Sequence, residues 1–258
     1  MNIVLLGSGN VATQLGRAFK MAGQTIVQVW SRDIEHAKEL ADTVASEAIS
    51  NIDDIYLFAD LYIIAVKDNA IAELASTLNI GDKLIVHTSG STSIEALDGV
   101  SSHTGVFYPL QTFSKKKAVD FRSVPIAIEA SNPEDLSVIR AIADRLSERV
   151  TELSSAQRKV LHVAAVFACN FTNHLMAISQ QLLEAENLEF DLLRPLIAET
   201  AEKVQLYSPD TVQTGPAVRG ESEIISSHLK MLKDTPELQE LYSQLSQGIV
   251  NLHKQPRG

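Results

Sequence analysis

The sequence has one cysteine, few positive charges and no long apolar run, and each shortage excludes a class of protein. The lone Cys169 excludes an intrachain disulfide and a metal site built from several cysteines. Lysine and arginine number 22 against 32 aspartates and glutamates, so the formal charge of −10 argues against nucleic acid as a partner. No stretch approaches the roughly 18 uninterrupted apolar residues of a membrane helix, and a strand pattern starts directly after Met1, which leaves no room for a signal peptide. We therefore expect a cytoplasmic protein without a metal site or a membrane partner, acting on a small molecule.

The most informative segment lies at the N-terminus, where the apolar run 3–6 leads into Gly7-Ser8-Gly9-Asn10-Val11-Ala12. This is the G-x-G-x-x-A form of a dinucleotide-binding turn. Gly7 permits the tight strand-to-helix turn, Gly9 lets the backbone approach a pyrophosphate, and the small Ala12 lets helix and strand pack closely. The pyrophosphate then binds at the helix N-terminus.

The end of the second predicted strand, 25–30, indicates which dinucleotide binds. An NAD site usually has Asp or Glu about 20 residues past the glycines, whereas an NADP site has residues that accept a 2′-phosphate. This chain has Ser31-Arg32 there, a hydroxyl and a guanidinium that can bind a phosphate, and Asp33 is predicted to cap the next helix. NADP is therefore favoured over NAD, with Arg32 as a solvated turn residue the alternative. The predicted cofactor-binding residues are Gly7, Ser8, Gly9, Asn10, Val11, Ser31, Arg32 and Val66.

Strand and helix patterns alternate over residues 1–153, and only helical periodicity follows over residues 154–258. The first pattern predicts an α/β domain of the Rossmann type, a doubly wound and mostly parallel sheet. The second predicts an all-helical domain for substrate binding and dimerisation. Because that domain has little core of its own, we expect its apolar faces to pair in a homodimer.

Six motifs in order resemble those of a known family, the Rossmann-like NADP oxidoreductases whose C-terminal half is a domain of unknown function. They are 7–12 (GSGNVA), 65–71 (AVKDNAI), 87–91 (HTSGS), 108–113 (YPLQTF), 162–171 (HVAAVFACNF) and 214–220 (TGPAVRG). The wider superfamily includes pyrroline-5-carboxylate reductase, prephenate dehydrogenase and the deazaflavin-dependent NADP reductases. The resemblance implies the fold, NADP(H) as cofactor and a dimer, but no substrate.

Candidate catalytic residues follow the predicted strands, because ligands of an open parallel sheet bind at the carboxyl ends of its strands. Ser89 follows one strand, at a position where related dehydrogenases have a substrate-binding hydroxyl. Tyr108 and Gln111 follow the next strand, and relatives have a histidine proton carrier in place of Tyr108. A neutral phenol can donate a hydrogen bond to a developing oxyanion. The alternative is that Tyr108 is a half-buried aromatic, and Gln111 is predicted to bind substrate.

The long helix predicted from Ser155 to about Glu186 supplies two further candidates, His162 and Asn170, about 12 Å apart along its axis. They cannot touch one reacting atom but can line one cleft, and either can be the nearer to the chemistry; tight helix packing is the alternative. Cys169 is predicted to be a small core residue. Arg219, in a loop rich in glycine and proline, is predicted to bind a substrate carboxylate or phosphate, or alternatively to form an interface salt bridge.

Two classes of function fit these residues. The first is an NADP-dependent oxidoreductase that transfers a hydride between nicotinamide and a small carbonyl or imine substrate. The second is a non-catalytic NADP-binding sensor or scaffold, which the replacement of the histidine proton carrier by Tyr108 keeps open.

Overall fold

The computed structural model of the protein describes residues 1–254. Its centre is one eight-stranded sheet with the strand order β3-β2-β1-β4-β5-β6-β7-β8. The strands are β1 (Asn2–Leu6), β2 (Thr25–Trp30), β3 (Glu47–Ile49), β4 (Leu61–Ile64), β5 (Leu84–His87), β6 (Thr104–Pro109), β7 (Ile126–Ala130) and β8 (Val150–Glu152). Strands are added to one side of β1 as β2 and β3 and then to the other side from β4 onward, as in a doubly wound sheet, and the predicted α/β fold class is confirmed.

The helices flank the sheet in the first part of the chain and replace strands in the second. They are α1 (Asn10–Met21), α2 (Ile34–Val44), α3 (Ile71–Thr77), α4 (Pro133–Leu146), α5 (Ser155–Ala165), α6 (Thr172–Ala185), α7 (Arg194–Leu206), α8 (Pro216–Arg219), α9 (Ser222–Met231) and α10 (Pro236–Lys254). Asp33 is the N-cap of α2, where its carboxylate accepts from the backbone N–H of Glu35, as its position predicted.

The apolar run at the N-terminus folds as a strand that is buried on both faces. Ile3 and Leu5 pack into a core with residues of α1 and α2, whereas Val4 and Leu6 pack into a second core with residues of α3. Successive side chains of a strand point to opposite faces, so a continuous apolar run is what a central strand between two helical layers requires.

The sheet departs from a purely parallel arrangement at β7, which runs antiparallel to β6 and parallel to β8. Pro125 directly precedes β7, a strand-start position where proline is tolerated, and β7 is paired on both sides. The edge strands β3 and β8 have three residues each, too few to give a periodic signal in the sequence.

One long helix, Ser155–Ala185, consists of α5, a π-helical segment Val166–Phe171 and α6. Ser154 is its N-cap and forms a reciprocal capping box with Gln157. A helix was predicted here, but the π-helical segment was not. By length and composition this helix could cross a membrane, although such a criterion alone is weak evidence.

The chain divides into two compact units, Met1–His174 and Leu175–Gly258. The first contains the whole sheet, α5 and the π-helical segment; the second consists of helices and their connections. The predicted boundary at 153/154 falls at the end of the sheet rather than at the division between the units. It stays a prediction, because compactness alone does not decide where a domain begins.

Candidate active site

The glycine-rich turn joins β1 to α1 at the carboxyl edge of the sheet. Gly7 has a φ of +126°, and a Cβ on it would lie 2.3 Å from the carbonyl oxygen of Ala65. Only glycine fits there, both for its backbone conformation and for its closeness to the neighbouring strand end.

Open space lies in front of the N-terminus of α1. Gly9 is the N-cap, no side chain caps this helix, and a Cβ on Gly9 would meet nothing within 4 Å. The first backbone N–H groups of a helix lack intrahelical partners and favour an anion. This N-terminus belongs to a crevice of about 810 Å³ that is lined by Ser8, Gly9, Asn10, Val11, Trp30, Ser31, Arg32, Ala65, Val66, Lys67, Asn69, Ala70 and Glu73.

The crevice brings together all the predicted cofactor-binding residues except Gly7, from three strand ends, and adds a cation, Lys67, that the sequence did not predict. Ser8 Oγ donates to Ser31 Oγ at 3.0 Å, which ties the glycine-rich turn to the end of β2. Arg32 and Lys67 are both exposed there, and neither forms an ion pair within residues 1–254. Lys67 stands three residues after the end of β4 and next to Val66, so the strand-end rule that selected Val66 would also have found it.

A second cavity, of about 710 Å³, lies between the end of β6 and the long helix within the same unit. It contains three of the predicted site residues, Tyr108, His162 and Asn170, and the predicted substrate-binding residue Gln111. Its lining is Tyr108, Leu110, Gln111, Thr112, Phe113, Leu161, His162, Ala164, Ala165, Val166, Ala168, Cys169 and Asn170.

Tyr108 and His162 form the polar centre of this cavity. The phenol oxygen and Nδ1 of the imidazole are hydrogen-bonded at 3.1 Å, and the two rings meet edge to face. Burial, followed by the negative charge of Asp68, raises the pKa of Tyr108 above its usual value of 10, so the phenol stays protonated at neutral pH. Tyr108 is thus a buried hydrogen-bonding group, linked to a histidine 54 residues further along the chain.

The loop after β5 packs directly on this pair. A Cβ on Gly90 would lie 2.6 Å from Nδ1 of His162 and 2.8 Å from the Tyr108 oxygen, so any other residue would displace one of the two rings. Ser89 is itself buried and does not line the cavity. Its hydroxyl accepts from the backbone N–H groups of Ser91 and Thr92, and this holds the loop in shape.

His87, at the end of β5, is a buried histidine with both ring nitrogens satisfied. Its Nδ1 accepts from the N–H of Ser89 and its Nε2 lies 3.2 Å from the carbonyl oxygen of Ser93, which fixes the tautomer with the proton on Nε2. Burial, followed by the charge of Arg158, lowers its pKa to about 4. The neutral imidazole holds the loop after β5 in place through its hydrogen bonds with the N–H of Ser89 and the carbonyl oxygen of Ser93.

The π-helical segment explains how His162 and Asn170 line one cavity. In a regular α-helix, positions four residues apart are displaced round the axis by about 40° at each step, so His162 and Asn170 would face different directions. An i→i+5 turn contains one more residue and offsets part of that displacement, so the two side chains face the same cavity. Cys169, within this segment, is exposed and lines the cavity, so its prediction as a core residue is wrong. Neighbouring alanines gave it the appearance of a packed position, but residues 159–175 of the long helix are all at least partly exposed within this chain.

Arg158 is the functional candidate that sequence reasoning missed. Its side chain is 1% exposed and forms an ion pair with Glu129 of β7. Its guanidinium also donates to the carbonyl oxygens of Ser89, at 3.1 Å, and of Thr92. Arg158 therefore holds in place the loop that packs on Tyr108 and His162. Its neighbours in the sequence are polar, as on an exposed helix face, so nothing in the sequence indicates that Arg158 is buried.

Arg219 lies in the second unit, where its guanidinium binds the carboxylate of Glu221 through two hydrogen bonds of 2.8 and 2.7 Å. Its predicted role toward substrate stays a prediction. Within residues 1–254, no three His, Cys, Asp or Glu side chains are grouped so that they could hold a metal ion.

Comparison with known proteins identifies the class. Residues 2–90 match the family model described as NADP oxidoreductase coenzyme F420-dependent, and residues 124–249 match a domain of unknown function, DUF2520. A solved structure from Bacteroides fragilis, named "putative NADP oxidoreductase", is 48% identical, with a TM-score of 0.91 and coverage of 97% of this chain and 98% of that one. The chain belongs to this family of Rossmann-type NADP oxidoreductases.

More distant structures share the fold. A Thermotoga maritima protein is 22% identical, with a TM-score of 0.75 and coverage of 98% of both chains. An imine reductase from Myxococcus stipitatus, solved in complex with NADP+, is 16% identical, with a TM-score of 0.62 and coverage of 97% of this chain and 92% of that one. No curated protein matches the chain.

Proposed function

We propose that this protein is an NADP-dependent oxidoreductase that transfers a hydride between nicotinamide and a small carbonyl or imine substrate. One observation carries the proposal: a hydrogen-bonded Tyr108–His162 pair lines a cavity in the same compact unit as a dinucleotide crevice. Reduction of a carbonyl or imine needs a hydride and a proton, and the pair is a source of the proton.

The residues of the crevice fit NADP(H). The open N-terminus of α1 and the strained Gly7 suit a pyrophosphate, and Arg32 with Lys67 suits a 2′-phosphate. The complex of the M. stipitatus imine reductase with NADP+ supports the same choice. When bound, the reduced cofactor supplies the hydride.

Tyr108 and His162 move the proton in this proposal. The phenol donates to the oxygen or nitrogen of the substrate as negative charge develops there, and it accepts in turn from the Nδ1–H of His162. The phenol then never has to remain ionised, so the high pKa of Tyr108 does not prevent proton transfer near neutral pH. Asn170, on the same cavity, can orient the substrate through its amide.

Tyr108→Phe tests this role, because it removes one oxygen and keeps the ring. We expect it to slow the chemical step by about 2–4 kcal/mol, the cost of losing an oxyanion-hole donor, with little change in NADPH affinity. His162→Ala, which removes the hydrogen-bonding partner of the phenol, should have a similar effect. Tyr242→Phe is a matched control, since Tyr242 forms a comparable 2.8 Å hydrogen bond with Nδ1 of His228 in the second unit.

Full turnover by both folded variants would contradict the proposed site. Tight NADPH binding by the wild-type protein without turnover of any oxo-acid, hydroxy acid, ketone or cyclic imine would instead favour the non-catalytic NADP-binding sensor or scaffold. Absorbance of the reduced nicotinamide follows NADPH oxidation with the oxo-acids, ketones and imines, and NADP+ reduction with the hydroxy acids. Together with a fluorescence titration of the cofactor, it distinguishes the two results.

We further propose that the protein is a homodimer that covers the long helix. Val160, Val163 and Phe167 are 71%, 56% and 65% exposed, an arrangement that an isolated soluble protein seldom keeps. Phe167→Asp should therefore convert a dimer into a monomer in sedimentation velocity, whereas Met21→Asp, at an apolar residue on α1 that is 89% exposed, should not. A monomeric wild-type protein would refute the dimer, and flotation with lipid vesicles would assign the helix to a membrane.

A further inference from the structure

The two cavities of the unit Met1–His174 differ in charge. The crevice at the glycine-rich turn contains Arg32, Lys67 and Glu73. Among the described residues, the side chains that line the cavity at Tyr108 include no lysine, arginine, aspartate or glutamate. Arg32 and Lys67 thus lie in the crevice where a phosphorylated cofactor would bind. The described lining of the cavity at Tyr108, where the substrate would bind, has no lysine or arginine.

The cavity at Tyr108 is also largely apolar. Leu110, Phe113 and Leu161 contribute large apolar side chains, and the helix contributes three alanines. Its neutral hydrogen-bonding groups are the amides of Gln111 and Asn170 and the hydroxyl of Thr112, and its titratable groups are Tyr108, His162 and Cys169. A volume of about 710 Å³ lies within the range of small-molecule pockets and is large enough for a bicyclic compound.

The charged groups behind the lining do not favour an anion. Asp68 acts on Tyr108 with a negative charge, and its carboxylate accepts a hydrogen bond from the Ser91 hydroxyl. The cation that also acts on Tyr108 is Arg158, which is already paired with Glu129. A carboxylate or phosphate brought into the cavity would lose water and would find no lysine or arginine side chain in the described lining to offset that loss, so its desolvation is unfavourable.

From this distribution of charge we propose that the substrate is an uncharged, largely apolar imine or ketone that has no carboxylate or phosphate group. The inference rests on the proposed hydride transfer and adds the chemical class of the substrate. In the reducing direction the C=N or C=O carbon gains a hydride from NADPH, which becomes NADP+. The nitrogen or oxygen gains the phenol proton of Tyr108, the Nδ1–H of His162 reprotonates Tyr108, and His162 regains a proton from solvent at Nε2. The net change is the addition of one hydride from NADPH and one proton from water.

Binding tests the proposal independently of turnover. Unreactive lactams in matched pairs, such as 3,4-dihydroisoquinolin-1-one and its 3-carboxylate, are titrated into the full-length protein with and without NADP+. His162 ring signals in NMR report on occupation of the cavity. We expect the neutral member to bind about tenfold or more tightly. Equal or tighter binding of the carboxylate, or no binding of the neutral lactam in the millimolar range, overturns the proposal.

Turnover separates this proposal from the function on which it rests. Wild-type protein should oxidise NADPH with 3,4-dihydroisoquinoline at a kcat/KM about tenfold or more above that for its 3-carboxylate, and a preference for the carboxylate overturns the substrate class. Gln111→Arg places a cation in the cavity and should reverse or abolish this preference. Gln244→Arg adds the same charge on α10 and should not. Neutral lactam binding without any NADPH oxidation would support the charge class while contradicting the hydride transfer.

Discussion

Replacing Arg158 with methionine is expected to destabilise the first unit far more than an exposed ion pair would. The change leaves the Glu129 carboxylate, 17% exposed, without its cation and leaves the carbonyl oxygens of Ser89 and Thr92 without their donors. Removal of one partner of a buried ion pair costs about 3–5 kcal/mol. That is a large fraction of the roughly 5–15 kcal/mol by which a protein is stable.

Urea unfolding measures this loss in the correct unit. Trp30 is the single tryptophan of the chain, is 7% exposed and belongs to β2, so its fluorescence follows unfolding of the sheet. Arg122→Met is the control, since Arg122 pairs with Glu148 at 2.7 Å but both side chains are more than half exposed. An exposed pair of this kind contributes only about 0–1 kcal/mol.

A double-mutant cycle distinguishes the ion pair from simple loss of packing. Glu129→Gln removes the negative charge while retaining a polar side chain, so combining it with Arg158→Met leaves no buried charge. The double variant should lose about 0.5–3 kcal/mol less than the sum of the single losses. If Arg158→Met costs no more than Arg122→Met, or the two changes are additive, the buried pair does not hold the loop as described.

Three further results are expected. Arg32→Ala should weaken NADPH by about 1.5–3 kcal/mol and leave NADH nearly unchanged in a fluorescence titration, and equal losses would exclude a 2′-phosphate contact. His87 has a pKa lowered to about 4 in the folded protein, so the unfolded chain takes up a proton at a higher pH than the folded protein does. The free energy of unfolding should therefore fall as pH falls from about 6.5 to 4, and His87→Gln should flatten that slope. The hydrogen bond with Asp135 raises the pKa of His103, so the contribution of His103 to the free energy of unfolding is fully present below about pH 6.5. That contribution is lost as pH rises through the raised pKa, and His103→Gln should remove this dependence of stability on pH.

Local patterns account for the parts of the structure that the sequence predicted. Gly7 and Gly9 were recognised because a phosphate-binding turn restricts both backbone conformation and space at fixed positions. β1 was recognised because burial on both faces requires an unbroken apolar run. The cap Asp33 was recognised because its bond to a backbone N–H two residues away depends on adjacent residues only.

Features that depend on distant residues could not be predicted. Arg158 stands between Gln157 and Lys159 in a polar stretch, and it is buried only because Glu129, 29 residues earlier, lies on the adjacent strand. The π-helical segment adds one residue to a turn without changing the apolar periodicity of Val166–Phe171, so it was not visible in the sequence, although the sequence did place His162 and Asn170 on one cleft.

One face of α5 carries both a residue that stabilises the site and a residue of the proposed proton transfer. Arg158 and His162 are four residues apart and therefore lie on the same side of the helix. Arg158 fastens the loop after β5, and Gly90 of that loop packs on the Tyr108–His162 pair without room for a Cβ. Loosening the loop would give both rings freedom to separate, so the proton transfer proposed above would depend on an ion pair that lies outside the cavity lining. The guanidinium binds two backbone carbonyl oxygens of the loop at once, and the loop in turn fixes the positions of the Tyr108 and His162 rings.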